Sequence, residues 1–385
     1  MSALRIQELV NHCIDHLADS PIDLLNCSLV ARSWLTAAQS NLFRAPLSIN
    51  KARFVTKRTV LRLYRSLKSS PHLLTHVREL DLDTVHVPRK VLEQLSSLPF
   101  TNLRVLCLCV SGREASPSDA VLRLTSLPSL RYLRIRESGD QALALSASIQ
   151  ILEHCSPYLE HLDFFSSGMS AVQIGEKHAR KLMPIKLKSA RLFVGEQAEH
   201  PDSLRSLYPL DLSQIKALAN VAGPSVPWHP IPKATLEVLE LFFWDALSSI
   251  PCDISAYPAL QTLRLAVEDV SIPTVALLIS SISSSQKIRT ILLVMGSHSF
   301  LFGPGTELDG ALCELSLRLQ SLRMIAVEPA SPECPSLAVV RRCLPGLVMT
   351  DKVCAISDCY IVFWTRYISD IWLARRIGMT RLSGR

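Results

Sequence analysis

The sequence predicts an α/β protein: a short group of three helices, then a curved solenoid of alternating strands and helices along most of its 385 residues. Three observations carry that prediction. The pattern apolar-x-x-apolar-x-apolar recurs at spacings of 24 to 34 residues. Segments with helical periodicity lie between these pieces, and roughly the first fifty residues show helical spacing alone. Nearly half of the residues are apolar and 19% are charged, which excludes a largely disordered chain.

In chain order, Leu9, Val10, Cys13, Ile14 and Leu17 of ELVNHCIDHL fall at helical spacing. Ser20-Pro21-Ile22-Asp23 then reads as a helix start with Ser20 as N-cap, and the second helix carries Leu24, Leu25 and Leu29. A third runs from Val30 to Leu42. Together they define a domain over 1–48, too small for a large core of its own, so a partner or the next domain is expected to cover part of it.

From Arg44 through Arg78 the chain has nine Lys or Arg and no Asp or Glu. In TKRTVLRLYRSLKS, Val60, Leu63, Tyr64 and Leu67 share one helix face, while Lys57, Arg58, Arg62, Arg65 and Lys68 occupy the rest. Residues 49–76 read as a basic amphipathic linker helix docked on the first repeat. The same charge attracts nucleic acid, an acidic membrane or an acidic target segment; nucleic acid is disfavoured and no membrane partner is expected.

Repeats follow over 77–350, ten or eleven by the pattern: VRELDL from Val77, LRVLCL from Leu103, LRYLRI from Leu130, LEHLDF from Leu159 and LKSARL from Leu187. The series continues with a weak LSQIKA from Leu212, then LEVLEL from Leu236, LQTLRL from Leu260, IRTILL from Ile288 and LRMIAV from Leu322. A period of roughly 20 to 29 residues is that of leucine-rich repeats. Between them, KVLEQLSSLP places Val91, Leu92, Leu95 and Leu98 at helical spacing. SPSDAVLRLTSLP offers Ser116 as N-cap and Pro117 as the first helical residue. Each unit buries its leucines only against its neighbours, so the array stands or falls as a stack. GPSVPWHPIP (223–232), GSHSFLFGPGTELDG (296–310) and PASPECP (329–335) read as projecting loops. After Leu344 the pattern fades, and 351–385, with IVFWTRYISDIWLARRI, is expected to cap the array.

ELVNHCIDHL followed by SPIDLLNCSLVARSWLTAAQSNLF resembles the F-box as it occurs in many fungal proteins. KSSPHLLTHVRELDL (68–82) looks like the junction through which such F-boxes lead into leucine-rich repeats. The likeness is detailed over residues 4–82 and beyond them is one of repeat class. It implies a non-catalytic substrate-recognition subunit of a Skp-cullin-F-box ubiquitin ligase. The F-box of such a protein docks a Skp-type adaptor, and through it a cullin-RING ligase, while the repeats hold a target protein for ubiquitin transfer. Carried over position by position, the adaptor-binding candidates are Leu9, Ile14, Leu17, Leu24, Leu25, Leu29, Val30 and Trp34, of which half are expected to pack as core. The family usually has Leu-Pro or Pro-Pro just before the Glu that matches Glu8, and this sequence has Arg5, Ile6 and Gln7 there. That departure supports an alternative: a leucine-rich-repeat interaction scaffold whose F-box-like helices no longer bind the adaptor.

Alternation along each repeat strand sends the residues between and after the inward leucines to the opposite, concave face. Its centre mixes aromatics with arginine, and the target-binding candidates are Tyr132, Arg134, Arg136, His161, Phe165, Arg191 and Phe193. G-x-S-x-G, H-E-x-x-H and P-loop motifs are all missing, so neither catalysis nor a cofactor is expected. His12 with His16 and His72 with His76 are spaced for a shared metal but have no further ligands nearby in sequence, and no metal site is expected. Eleven cysteines without a C-x-x-C pair, among them Cys107 and Cys109 in apolar runs, read as reduced thiols of a cytoplasmic or nuclear protein. Arg5, Glu8 and Asp15 interrupt the first apolar residues, and no apolar run reaches the length of a spanning helix.

Overall fold

Each repeat strand begins at an apolar residue that closes the preceding turn, and the residue after it sets the register with the next repeat. The carbonyl of Arg78 accepts the N–H groups of both Arg104 and Val105, at 2.8 and 3.0 Å. The carbonyls of Arg104, Arg131 and Glu160 accept the corresponding pairs from the repeats that follow them, as do those of Lys216, Glu237, Gln261 and Arg289. The computed structural model describes residues 3–17, 20–44, 47–48, 57–84, 87–111, 116–138, 141–166, 185–194, 210–221, 233–243, 253–267, 272–295, 306–329, 344 and 353–355. Two compact units divide the chain: Met1–Phe193 with Asp202–Leu212, and Val194–Pro201 with Ser213–Arg385.

The first unit opens with α1 (Ala3–His16), α2 (Pro21–Val30) and α3 (Arg32–Arg44). Pro21 stands at the start of α2, where its missing N–H has no intrahelical acceptor in any case, and extended backbone at Ala31 ends that helix. The short β1 (Leu47–Ser48) and α4 (Lys57–Ser69) follow, and a 3-10 turn at Pro71–Thr75 leads to β2 (Glu79–Asp83). Then come α5 (Arg89–Ser96), β3 (Val105–Ser111), α6 (Asp119–Thr125), β4 (Tyr132–Ser138), α7 (Gln141–Glu153) and β5 (His161–Ser166). β6 (Ile185–Lys186), β7 (Ser189–Val194) and β8 (Leu210–Asp211) complete the unit. Strands pair in the order β1-β2-β3-β4-β5-β7, parallel wherever the register is defined, and β6 and β8 make a separate parallel pair. Parallel neighbours need a crossover, and α5 and α6 supply two of them. α4, α5, α6 and α7 pack side by side in sequence, with α7 against β3 and β4.

The second unit is a parallel ladder of β9 (Ala217–Val221), β10 (Val238–Phe243), β11 (Thr262–Val267), β12 (Thr290–Met295), β13 (Met324–Pro329) and β14 (Val353–Ala355). Two crossovers carry α8 (Ile272–Ser281) and α9 (Thr306–Arg318), packed against each other. Both units repeat a parallel strand that opens on a buried apolar triplet, the pattern the sequence predicts for leucine-rich repeats. The first apolar residue of every repeat, from Val77 and Leu103 through Leu322, is buried, as are the second and third wherever their side chains are described. Fully burying one such side chain is worth about 1.5 to 3 kcal/mol, so the stacked leucines are the main stabilising term.

Three sequence expectations change. The weak repeat is framed on Ile215 rather than Leu212: Lys216 supplies its double acceptor, Ala217 pairs with Val238, and Ile215 and Leu218 are buried. α6 begins at Asp119 with Ser118, not Ser116, at its cap. Thr306–Gly310, expected as loop, opens α9; its leucines Leu308, Leu312 and Leu315 are buried, and that burial outweighs a mid-helix glycine. The expected linker helix is α4, with Val60 and Leu67 buried and Arg62, Arg65 and Lys68 exposed. The loop 223–232 and the amphipathic stretch of the C-terminal cap lie outside the described residues.

Among the described residues Phe164 is the largest fully buried side chain, on the inward face of β5. Phe164→Ala is expected to cost about 3 to 5 kcal/mol, read from the urea midpoint, with Arg136→Ala as a near-neutral control.

Candidate functional site: a helical apolar face and a strand face

The three N-terminal helices share a small core of Ile14, Leu24, Cys27 and Ala38, with Val10, Leu17, Trp34, Ala37 and Leu42 packed against it. Polar ties close it: Asn41 Nδ2 donates to Asp15 Oδ1 at 2.9 Å, and Gln7 Nε2 donates to the Ser33 carbonyl at 2.9 Å. These contacts sort the eight adaptor candidates. Ile14 and Leu24 are core, while Leu17 and Trp34 are half-buried against it. Leu9, Leu25, Leu29 and Val30 are exposed, at 62%, 54%, 84% and 65%, and so is Ile22, which the sequence pattern did not single out, at 72%. Ile22, Leu25 and Leu29 stand three and seven residues apart on α2 and therefore line one face of it. Grouped on one short helix, these large apolar side chains forfeit their burial energy while they face water.

On the strand face the ladder aligns the candidates in rows. Tyr132 lies opposite His161, Arg134 opposite Asp163, and Arg136 opposite Phe165. On the other side of β4, Asp81, Cys107 and Arg134 share one row, and Asp83, Cys109 and Arg136 the next. Arg134 Nε donates to Asp163 Oδ2 at 2.7 Å, Arg134 Nη2 donates to the Tyr132 hydroxyl at 2.9 Å, and that hydroxyl reaches the same carboxylate at 3.2 Å. The arginine is thus held by two strands in one closed network. Tyr132 is buried, and burial together with the Asp163 carboxylate pushes its hydroxyl pKa up. For Arg134, burial works against the charge, but the Tyr132 oxygen and the Asp163 carboxylate outweigh it and raise its pKa. Cys107 beside it is pushed up to about 12, chiefly by burial, so this thiol stays protonated at neutral pH.

His161 is also buried. Its Nδ1 lies 2.7 Å from Ser189 Oγ, and its Nε2 lies 3.8 Å from a carboxylate oxygen of Glu160, which Lys188 pairs at 2.9 Å. A hydroxyl, an imidazole and a carboxylate in line have the arrangement of an activated nucleophile. Ser189 is only 1% exposed, however, which leaves no approach for a substrate, and the contact ties β5 to β7 instead. Of the seven target candidates, Arg136 is exposed, Arg134 and Arg191 are half-buried, and Tyr132 and His161 are buried. The side chains of Phe165 and Phe193 lie outside the described residues.

In the second unit the same strand positions are more covered: Val238, Glu240, Arg264, Leu292, Val294 and Ala326 are buried, and Thr262, Ala266, Thr290 and Met324 are half-buried. Arg264 Nη1 donates to Glu240 Oε1 at 2.6 Å, so two charges that sequence alone places on an open face form a buried pair. Sequence signals for this were weak: an Arg opposite a Glu is visible only once the register of β10 and β11 is known.

Among the described residues no group of three or more His, Cys, Asp or Glu is placed to hold a metal ion, and no helix is long and apolar enough to cross a membrane. His12 and His16 stand with their Nε2 atoms 3.3 Å apart on the exposed side of α1. A leucine-rich repeat-containing protein, LegL7 from Legionella pneumophila, has a solved structure similar to this chain with a TM-score of 0.38 and 15% identity, over 83% of this chain and 88% of that one. No protein-family model and no curated protein matches the chain.

The His161 pair makes stability depend on pH. Burial holds the His161 pKa at about 4, with Glu160 opposing and Lys188 assisting, against 6.5 for the free side chain. The unfolded chain therefore binds the extra proton first, and stability falls as pH drops from the free value towards the folded one. The loss attributable to this group reaches about 3 kcal/mol. Denaturation from pH 7 down to pH 4 is expected to show this slope in the parent and a smaller one in His161→Gln, which keeps a hydrogen-bond partner for Ser189.

Proposed function

We propose that the chain is the substrate-recognition subunit of a Skp-cullin-F-box ubiquitin ligase. α1 to α3 form its F-box and dock a Skp-type adaptor, the repeats hold a target protein, and catalysis resides elsewhere in the assembly. The observation that carries this reading is the exposed apolar face of α2, Ile22, Leu25 and Leu29, on a helical unit whose own core is already filled by Ile14, Leu24, Cys27 and Ala38. A face left over after the core is satisfied needs a partner. In this reading the adaptor contacts are Leu9, Leu25, Leu29 and Val30, while Ile14, Leu24, Leu17 and Trp34 support them from inside. The target contacts centre on Arg136 and Arg191, with Arg134 fixed behind them by Tyr132 and Asp163. Holding a target beside a charged ubiquitin-conjugating enzyme raises its effective concentration, and that proximity is the whole contribution of such a subunit. The cytoplasm or nucleus is the compartment this role requires.

One observation favours a second reading, a leucine-rich-repeat scaffold without adaptor binding. α1 runs without interruption through Arg5, Ile6 and Gln7, where the F-box pattern has proline.

Co-purification of the full chain with a Skp-type adaptor separates the two. Capture is expected for the parent, with a loss of tenfold or more for Leu25→Asp with Leu29→Asp, whose circular dichroism should match the parent because both residues are exposed. A well-folded parent that captures no adaptor establishes the scaffold.

A further inference from the structure

α4, α5 and α6 pack in sequence, each with its apolar side turned inward: Val60 and Leu67, then Val91, Leu92 and Leu95, then Val121 and Leu124 are buried. Their outward sides lie next to one another and carry mostly one sign of charge. Arg62, Arg65 and Lys68 on α4, Lys90 on α5 and Arg123 on α6 are all exposed. Of the exposed acids on these helices, Glu93 is engaged by Arg89 at 3.3 Å, and Asp119 stands in the first turn of α6. Spacing of three residues runs Arg62, Arg65 and Lys68 obliquely along α4, each about 4.5 Å further along the axis and about 60° further round than the last. Neighbouring helices add Lys90 and Arg123 at lateral steps of about 10 Å.

The character of this face narrows what fits it. Among the described residues none of the exposed large apolar side chains lies on α4, α5 or α6, so lipid would be held by charge alone, without the apolar insertion that strengthens interfacial helices. It also has no exposed aromatic platform for bases: Tyr64 is half-buried, and Lys68 Nζ sits 5.5 Å over its ring. What remains is three guanidinium forks, Arg62, Arg65 and Arg123, and two ammonium groups, Lys68 and Lys90, spread over adjoining helices, a charge pattern that complements carboxylates along an extended chain. We propose that the outer faces of α4, α5 and α6 form one docking surface for an acidic polypeptide segment, separate from the apolar face of α2 and from the strand face.

The test is fluorescence anisotropy of the full chain with a short fluorescein-labelled poly-glutamate peptide. Saturable binding is expected, weakening as salt rises. Arg62→Glu with Arg65→Glu should reduce affinity about tenfold, and so should Lys90→Glu with Arg123→Glu on the adjoining helices, both with unchanged circular dichroism. Loss in the first variant alone would overturn the three-helix surface, and parent-like binding by both would overturn the proposal entirely. Tighter binding of random duplex DNA or of phosphatidylserine vesicles than of the peptide, lost in the same variants, would overturn the choice of partner. Adaptor capture is read separately and is expected to be unchanged in all of them.

Discussion

A single carbonyl in each of eight described repeats governs this architecture. It belongs to the residue after the first buried apolar position, and it accepts two consecutive amides from the next repeat at 2.8 to 3.2 Å. Because both amides meet one oxygen, neighbouring strands cannot slip by a residue without losing the pair, and a slip would turn every inward leucine outward. Register, burial and the rows of the strand face all follow from that contact. Chain length between repeats is then nearly free, and spacings as different as 34 and 24 residues reach the same pairing.

This explains which parts of the fold were legible beforehand. Nine of the ten repeat starts fell where expected, because three apolar positions in a fixed frame leave little choice. The exception, near Leu212, offers small residues at Ala217 and Ala219 and a polar Asn220 where a third leucine would stand, so its frame is set by the Lys216 carbonyl accepting the Glu237 and Val238 amides rather than by its own side chains. The start of α9 was hidden for a different reason. Gly310 looks like a loop residue, yet a side chain there would meet nothing within 4 Å, so no packing demands glycine and the helix simply runs through it.

The candidate faces were less legible. Periodicity identifies apolar helix positions but not which of two apolar sides becomes core, and so Ile14 and Leu9 looked alike before the packing of α1 on α3 separated them. On the strands, alternation located the second face correctly, but not its burial. Tyr132 and His161 are consumed by contacts across β4, β5 and β7, and Glu240 neutralises Arg264. Arginine among aromatics signals recognition in sequence; here part of it is internal bracing, which leaves Arg136 as the exposed cation of its row.

The double amide contact also acts as a grammar for proline. A residue with no N–H cannot fill either donor position, and among the described residues no proline occupies one. Pro128, Pro157 and Pro258 instead stand two residues before the buried leucines Leu130, Leu159 and Leu260, where the chain turns into its next strand. Proline therefore stands before a strand, as at these three repeats, or at the end of one, as Pro329 does in β13 opposite Met295, and in both places it leaves the amide pairs at the strand starts unbroken.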